Sequence, residues 1–227
     1  MRSHLIPSKK LATIAGLALL AVPLAACSSQ DDTANASSNT NKSSSAAAPK
    51  PVASIDALTG DSTAVKLDQG FVDALTQLKL TPGVVGDAKL KAGSLIFPIT
   101  GGNVTVFKPG AVSPYVIGQL QHENSGLSLS AGGTKVELTN LNVDPGVSRV
   151  YGDVTVNGKT AVTSAYLFSL DGRTLKPLAA QGNKAVLEGT KVAISPVAAP
   201  LLNETFKTDA VKPGLLVGIA KITVNTK

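Results

Sequence analysis

Residues 150–172, VYGDVTVNGKTAVTSAYLFSLDG, decide the predicted fold of this chain. Apolar and polar residues alternate on both sides of Asn157-Gly158, as in Val154-Thr155-Val156, and the run ends at Asp171-Gly172. Such alternation is typical of strands that bury one face, and Asn-Gly supplies the positive φ angles of a two-residue hairpin turn. This stretch therefore predicts an antiparallel β-hairpin.

The same kind of pattern recurs elsewhere in the chain. Apolar alternation surrounds Gly101-Gly102 and Gly132-Gly133, for which hairpin turns are also predicted. Two further strands are predicted from Val186 to Ile194 and from Leu216 to Val224. Strands at this spacing, joined by tight turns, indicate an antiparallel β-sandwich or barrel. We therefore predict an all-β fold with one or two short helices.

The two predicted helices have capping residues at their starts. Asp68 is the predicted N-cap of a helix over residues 68–79, which has apolar residues on one face. Ser195 is the predicted N-cap of a second helix that runs to Phe206, although Pro200 indicates that regular helix begins only there. Both helices are expected to close the ends of the β core.

The amino terminus has the pattern of a bacterial lipoprotein signal. Residues 1–26 combine a basic start, a short apolar run and small residues before Cys27. The apolar run, Leu11 to Leu24, is shorter than the roughly 20 residues that span a bilayer, and Leu24-Ala25-Ala26-Cys27 resembles a lipobox. There the cysteine receives diacylglycerol and an N-terminal acyl chain such as palmitate, which would hold the protein on the outer face of the cell membrane. An ordinary secretory signal, with Cys27 unmodified, is the alternative.

The remainder divides into a tether and one domain. Residues 27–54 are predicted to be the lipidated cysteine and a disordered tether, because they are rich in Ser, Ala and Asn and contain almost nothing that could enter a core. Residues 55–227 have the composition of a folded domain, and their number fits a single core. We therefore predict a single β-rich domain over residues 55–227.

Charge and side-chain chemistry exclude several classes of function. The net charge of +6 falls to +3 without the leader, and no basic cluster is present, so a nucleic-acid partner is not expected. Cys27 is the only cysteine, and His122 is the only histidine beyond the leader, so a His/Cys zinc site is not available. No nucleophile elbow or calcium-loop spacing occurs either. The residues thus predict a protein that is not an enzyme.

Two residues are candidates for ligand contact. His122 lies in Gln121–Gly126, a predicted loop just before an alternating strand, and it would sit at the open end of the β core. The alternative is a loop histidine without a role. Tyr115 lies in a second predicted loop, Val112–Tyr115, where an exposed tyrosine is a candidate contact. Tyr151 and Tyr166 are more typical of packing or surface residues, and Tyr166 shares the apolar parity of its strand.

Seven short segments occur in a characteristic order over residues 68–224. They are Gly126-Leu127-Ser128-Leu129, Gly132 to Leu138, Asn142-Val143-Asp144, Val154 to Gly158, Ala198 to Phe206, Lys212-Pro213-Gly214 and Gly218 to Val224. This order resembles the HtaA-type domains of secreted and surface proteins of actinobacteria.

The resemblance implies a β domain with an end helix and, in haem-binding members, two site residues. These are an axial tyrosine on the N-terminal helical segment and a histidine in the later Gly-rich loop. His122 matches the histidine, but residues 68–79 contain Phe71 and no tyrosine, so iron would have to be held by His122 or Tyr115. The resemblance makes haem a candidate cofactor, whereas the residues by themselves indicate none.

The first functional hypothesis is a lipid-anchored, extracytoplasmic binding or envelope-structural protein without catalytic activity. Its partner would be a protein, a glycan or a lipid. A haem-binding surface module of the HtaA type is the first alternative. A lipid or glycolipid carrier is the second, and it would need an oversized apolar cavity inside the domain.

Overall fold

The computed structural model describes residues 48–227, so Cys27, the leader and most of the predicted tether lie outside the described residues. Within residues 48–227 the chain forms thirteen strands and two helices. The strands are Pro51–Ile55 (β1), Asp61–Leu67 (β2), Thr81–Gly86 (β3), Lys89–Lys91 (β4), Ser94–Pro98 (β5), Gly101–Phe107 (β6), Val116–Ala131 (β7), Thr134–Asp144 (β8), Arg149–Val156 (β9), Lys159–Asp171 (β10), Ala179–Gln181 (β11), Lys184–Ile194 (β12) and Leu216–Asn225 (β13). The helices are Gln69–Gln77 (α1) and Ala198–Phe206 (α2).

The described strands all belong to one antiparallel sheet. Its order is β1-β6-β7-β8-β9-β10-β12-β13-β2-β5-β4, with β11 beside β12 and β3 beside β7. The sheet folds back on itself, because His122 of β7 contacts Thr63 of β2 and Phe97 of β5. The prediction of an all-β fold with short helices is confirmed.

Two of the predicted hairpin turns are present. Gly132-Gly133 joins β7 to β8, and Asn157-Gly158 joins β9 to β10, with φ between +51° and +80° at all four residues. Asp171 ends β10, as predicted. These turns depend on the residues within them and on the alternation around them, so the local sequence was sufficient to find them.

The hairpin predicted at Gly101-Gly102 is wrong. These residues begin β6 and pair with Gln121 and Leu120 of β7, while β5 pairs with β2. Gly102 has φ +113°, and a Cβ built on it would lie 2.0 Å from the backbone oxygen of Gln119. The glycine is therefore needed for close approach of two strands, not for a turn.

Both predicted capping residues are used. Asp68 accepts a hydrogen bond from the Gly70 amide at 2.9 Å, and Phe71 and Leu75 of α1 are buried. Helix α1 packs against β3 and β13. It ends at Gln77, two residues before the predicted end.

Ser195 lies before α2 and caps it from that position. Its hydroxyl oxygen accepts from the Val197 and Ala198 amides at 3.2 and 2.9 Å. Pro200 falls in the first turn of α2, where a backbone N–H has no partner within the helix, so the proline is tolerated. Helix α2 packs against β10.

The first strand starts earlier than the predicted domain. Strand β1 begins at Pro51, whereas the domain was expected to start at residue 55. Ala53 and Ile55 pack against the hydrophobic core, and Pro51 pairs with Phe107 at the edge of the sheet, where a proline is accommodated. A five-residue edge strand with little apolar alternation has no strong sequence pattern from which it could be predicted. No helix within residues 48–227 has the length and apolar character required to cross a membrane.

Candidate functional site

A cavity of about 520 Å³ lies inside the folded sheet. Its walls are mainly aliphatic and come from strands on both sides of the fold, including Val65 of β2, Leu95 of β5, Leu141 of β8 and Val192 of β12. Packed protein interiors contain few voids larger than a water molecule. A volume of this size instead falls within the range of small-molecule binding pockets, which are mostly apolar with a few placed polar groups.

Three loops contribute to the lining at one end of the cavity, and we call this end the mouth: residues 108–115, 145–148 and 172–178. Tyr115, Ser148 and Arg173 line the cavity from these loops. Arg173 lies beside Asp171, with Nε 2.9 Å from Oδ1 and Nη2 2.8 Å from Oδ2. The guanidinium and the Arg173 amide hold the pKa of Asp171 far below its usual value, so this carboxylate is charged and already paired.

His122 forms part of the inner wall and is 1% exposed. Nδ1 donates to the carbonyl oxygen of Leu141 at 3.2 Å, because a carbonyl can only accept. Nε2 then accepts from the hydroxyl of Thr63 at 2.8 Å, and the ring of Phe97 stands edge-on at 6.2 Å. Burial lowers the pKa of His122 to about 4. The imidazole is therefore neutral near pH 7, with both nitrogens occupied.

The predicted loop around His122 is wrong. Residues 116–131 form one long strand, β7, which pairs with β8 on both sides of a bulge between His122 and Gly126. Asn124 in this bulge has φ +51°, and Ser125 is fully buried and donates to the carbonyl oxygen of His122 at 3.2 Å. The polar run that looked like a loop is the bulge, which interrupts the alternation without ending the strand.

Tyr115 lies in a loop, as predicted, but it is half-buried rather than exposed. Its carbonyl oxygen accepts from the Phe107 amide at 2.7 Å, directly before β7. The two candidate residues thus line one cavity, Tyr115 at the mouth and His122 on the inner wall. Cys27, the third predicted site residue, lies outside the described residues.

Tyr166 does not share the face of Phe168. A register shift between these residues lets both Leu167 and Phe168 become buried, and Tyr166 is left half-buried beside Tyr151 at 6.0 Å. The guanidinium of Arg149 stands 4.6 Å above the Tyr166 ring. A bulge breaks strict parity, so the alternation alone pointed to the wrong face.

Thr63 and most of the cavity wall were not predicted from the sequence. Thr63 is separated from His122 by 59 residues and sits in a strand with no unusual pattern. Its contact exists only because β2 and β7 face each other across the folded sheet. Within residues 48–227, no three His, Cys, Asp or Glu side chains converge in a way that could hold a metal ion.

Comparisons with known proteins give a structural neighbour but no relative by sequence. No family model and no curated protein matches the chain. The crystal structure of the C-terminal domain of HtaA from Corynebacterium glutamicum matches with a TM-score of 0.52 and 12% identity, covering 74% of this chain and 98% of that domain. The β domain has an HtaA-like fold. The resemblance predicted from the sequence is thereby confirmed.

A second HtaA structure also matches. It is a domain-swapped dimer of a histidine-to-alanine variant of the same C-terminal domain, with a TM-score of 0.44 and 11% identity over 70% of this chain and 91% of that one. At such low identities the likeness to HtaA shows the fold alone. The ligand has to be argued from the cavity itself.

Proposed function

We propose that this chain is a lipid-anchored, extracytoplasmic binding protein without catalytic activity, whose β domain holds an apolar, lipid-like ligand. The cavity of about 520 Å³ with aliphatic walls carries the proposal. Its lining is mainly apolar and belongs to strands on both sides of the fold, so an apolar ligand would bury its surface there on binding. Water is a poor filling where walls offer few polar partners, so an apolar ligand is the favoured occupant.

The distribution of polar groups indicates how such a ligand would lie. On the inner wall, His122 and Thr63 satisfy each other and leave apolar surface around them. Ser148, Asp171 and Arg173 line the cavity near the mouth. A ligand with an apolar chain inside and a polar head at the mouth matches this arrangement. Among the sequence-based hypotheses, the lipid or glycolipid carrier fits it best.

The titratable groups of the cavity support a role without catalysis. His122 is neutral near pH 7, and neither ring nitrogen is free to exchange a proton with a ligand. Asp171 is ionised and bound on both oxygens by Arg173. General acid–base catalysis needs a group within hydrogen-bond reach of the reacting atom and with a pKa near the working pH. Neither side chain meets both requirements.

Haem is the second candidate ligand, because His122 and Tyr115 line the same cavity. His122 does not fit as an iron ligand in this arrangement, since Nε2 accepts from Thr63 and Nδ1 carries a proton. That leaves the Tyr115 oxygen at the mouth as the candidate iron ligand. The apolar ligand is preferred because it requires no rearrangement of the inner wall.

The proposal is tested with the apolar fluorescent probe N-phenyl-1-naphthylamine and the chain from Ser28 onward. We expect saturable, blue-shifted fluorescence. Ala220→Phe, at a buried position on the cavity wall, should weaken binding at least about tenfold by filling the space. Ala161→Phe, at an exposed position of β10, is the matched control and should bind as the parent does.

Two outcomes would count against this function. Absence of saturable probe binding, or equal loss in both variants, would contradict an apolar ligand in the cavity. A haemin titration run in parallel distinguishes the second candidate. A saturable Soret band that Tyr115→Phe abolishes, together with haemin displacing the probe, would assign haem to the site instead.

A further inference from the structure

We infer that the mouth end of the domain docks on an anionic lipid bilayer, so that the cavity opens toward the membrane. This inference rests on the proposed function, which supplies the identity of the ligand that would pass through the mouth. The docking surface, here called the rim, consists of exposed side chains around the mouth: Lys50, Val52, Lys108, Ile117, Val147 and Lys191. Three features of the rim carry the inference.

The first feature is where the chain joins the domain. Pro51 pairs with Phe107, and the Phe107 amide donates to the carbonyl oxygen of Tyr115, which lines the mouth. Neighbouring strands are about 4.8 Å apart, so Pro51 lies roughly 10 Å from Tyr115. Everything that precedes residue 48, including the predicted anchor at Cys27, therefore connects to the domain beside the mouth.

The second feature is exposed apolar surface. Val52 is 61% exposed, Val147 is 54% exposed and Ile117 is 38% exposed. The Ile117 side chain lies beside the loop that carries Val147, because it is 3.9 Å from a Cβ built on Gly146. Apolar side chains at the tips of strands and turns, surrounded by polar residues, are suited to insertion between lipid headgroups.

The third feature is positive charge. Lys50, Lys108 and Lys191 are exposed, and none of them forms a salt bridge within residues 48–227. Asp171 at the mouth is already neutralised by Arg173. Each lysine close to an anionic membrane surface contributes about 1 kcal/mol of binding, which is about fivefold in affinity. The three lysines, together with the exposed apolar side chains, favour binding to an anionic bilayer over a neutral one.

The test measures co-sedimentation of the chain from Ser28 onward with vesicles. One set contains phosphatidylglycerol and phosphatidylcholine, and the other contains phosphatidylcholine only. We expect binding to the anionic set. The combined variant Lys50→Gln, Lys108→Gln and Lys191→Gln should lose on the order of a hundredfold in affinity.

A matched control removes the same charge elsewhere. Lys159→Gln follows the turn between β9 and β10, at the end of these two strands opposite Asp171. Lys89→Gln and Lys91→Gln lie in β4, at the other edge of the sheet from β1. All three lysines are exposed, as those of the rim are. Each variant loses three positive charges, so the two variants have equal net charge. The control should stay within a few-fold of the parent. The same comparison is made for the exposed apolar side chains, with Val147→Glu in the rim and Leu90→Glu in β4 as its control.

The possible results are distinct. No binding to anionic vesicles, or equal losses in the rim variant and its control, would overturn the docking inference. Binding to polyglutamate but not to vesicles would assign the rim to an acidic protein partner and would also overturn it. Probe binding in the same samples separates the two proposals, since loss of docking with intact probe binding leaves the proposed function standing. Thermal melts of each variant show that its fold is retained.

Discussion

His122 shows how one buried residue depends on partners that are far away in the sequence. It sits in β7 between the carbonyl of Leu141 and the hydroxyl of Thr63, and these partners determine its tautomer. A buried imidazole without such partners would cost about 1–3 kcal/mol for each unsatisfied group. The histidine is therefore better explained as a satisfied polar group in the wall than as a free ligand.

The lowered pKa of His122 predicts that acid destabilises the domain. The pKa is about 4 in the folded state and near 6.5 in the unfolded state. Between these values the unfolded chain binds the extra proton, so this contribution to stability is complete above pH 6.5 and is lost as the pH falls toward 4. Urea unfolding should show a free energy of unfolding lower by roughly 2 to 3 kcal/mol at pH 4.5 than at pH 7.

His122 can be followed directly, because it is the only histidine in the chain from Ser28 onward. An NMR titration of its ring protons should give a midpoint well below 6. A midpoint near 6.5 would contradict the buried, doubly hydrogen-bonded position. The carboxylates with lowered pKa values begin to lose their own stabilising contributions as the pH approaches their unfolded values of 3.8 to 4.5, so the NMR midpoint is the readout specific to His122.

At the scale of elements, identical Gly-Gly pairs have different roles. Gly132-Gly133 forms a hairpin turn, whereas Gly101-Gly102 starts β6 against β7. The two glycines are the same in both cases, and both pairs have apolar alternation on either side. What differs is the partner of the preceding strand, because β5 pairs with β2 and not with β6.

This difference predicts unequal costs for two glycine substitutions. Gly133→Ala places a Cβ where no atom lies within 4 Å, so it should cost only the strain of φ +80°, about 1–2 kcal/mol. Gly102→Ala adds a clash with the Gln119 backbone and should cost roughly 3 kcal/mol or more. Urea denaturation of both variants measures the difference. Equal costs would show that β6 and β7 do not approach as closely as described.

At the scale of the whole molecule, the proposed anchor decides where the cavity works. Cys27→Ala removes the thiol that would carry the lipid, so the protein should move from the membrane fraction to the medium, since stable anchoring requires more than one acyl chain. Fractionation of expressing cells measures this. Cys27→Ser is a closer match in size and should behave in the same way. Continued membrane retention of both variants would contradict lipid anchoring through Cys27.

The local sequence by itself determined the β class, the hairpins at Gly132-Gly133 and Asn157-Gly158, and the caps Asp68 and Ser195. Each depends on residues within a few positions of one another, whose backbone preferences and side-chain hydrogen bonds act locally. Resemblance to HtaA-type domains also followed from the order of short segments.

Only the tertiary structure decided the cavity, its mouth and the partner of His122. Thr63 and Leu141 reach this histidine from strands 59 and 19 residues away. The first described strand lies beside the mouth because β1 pairs with β6. Which strands face each other depends on how the whole sheet folds back to bury its apolar faces, and that free energy is shared by residues distant in sequence.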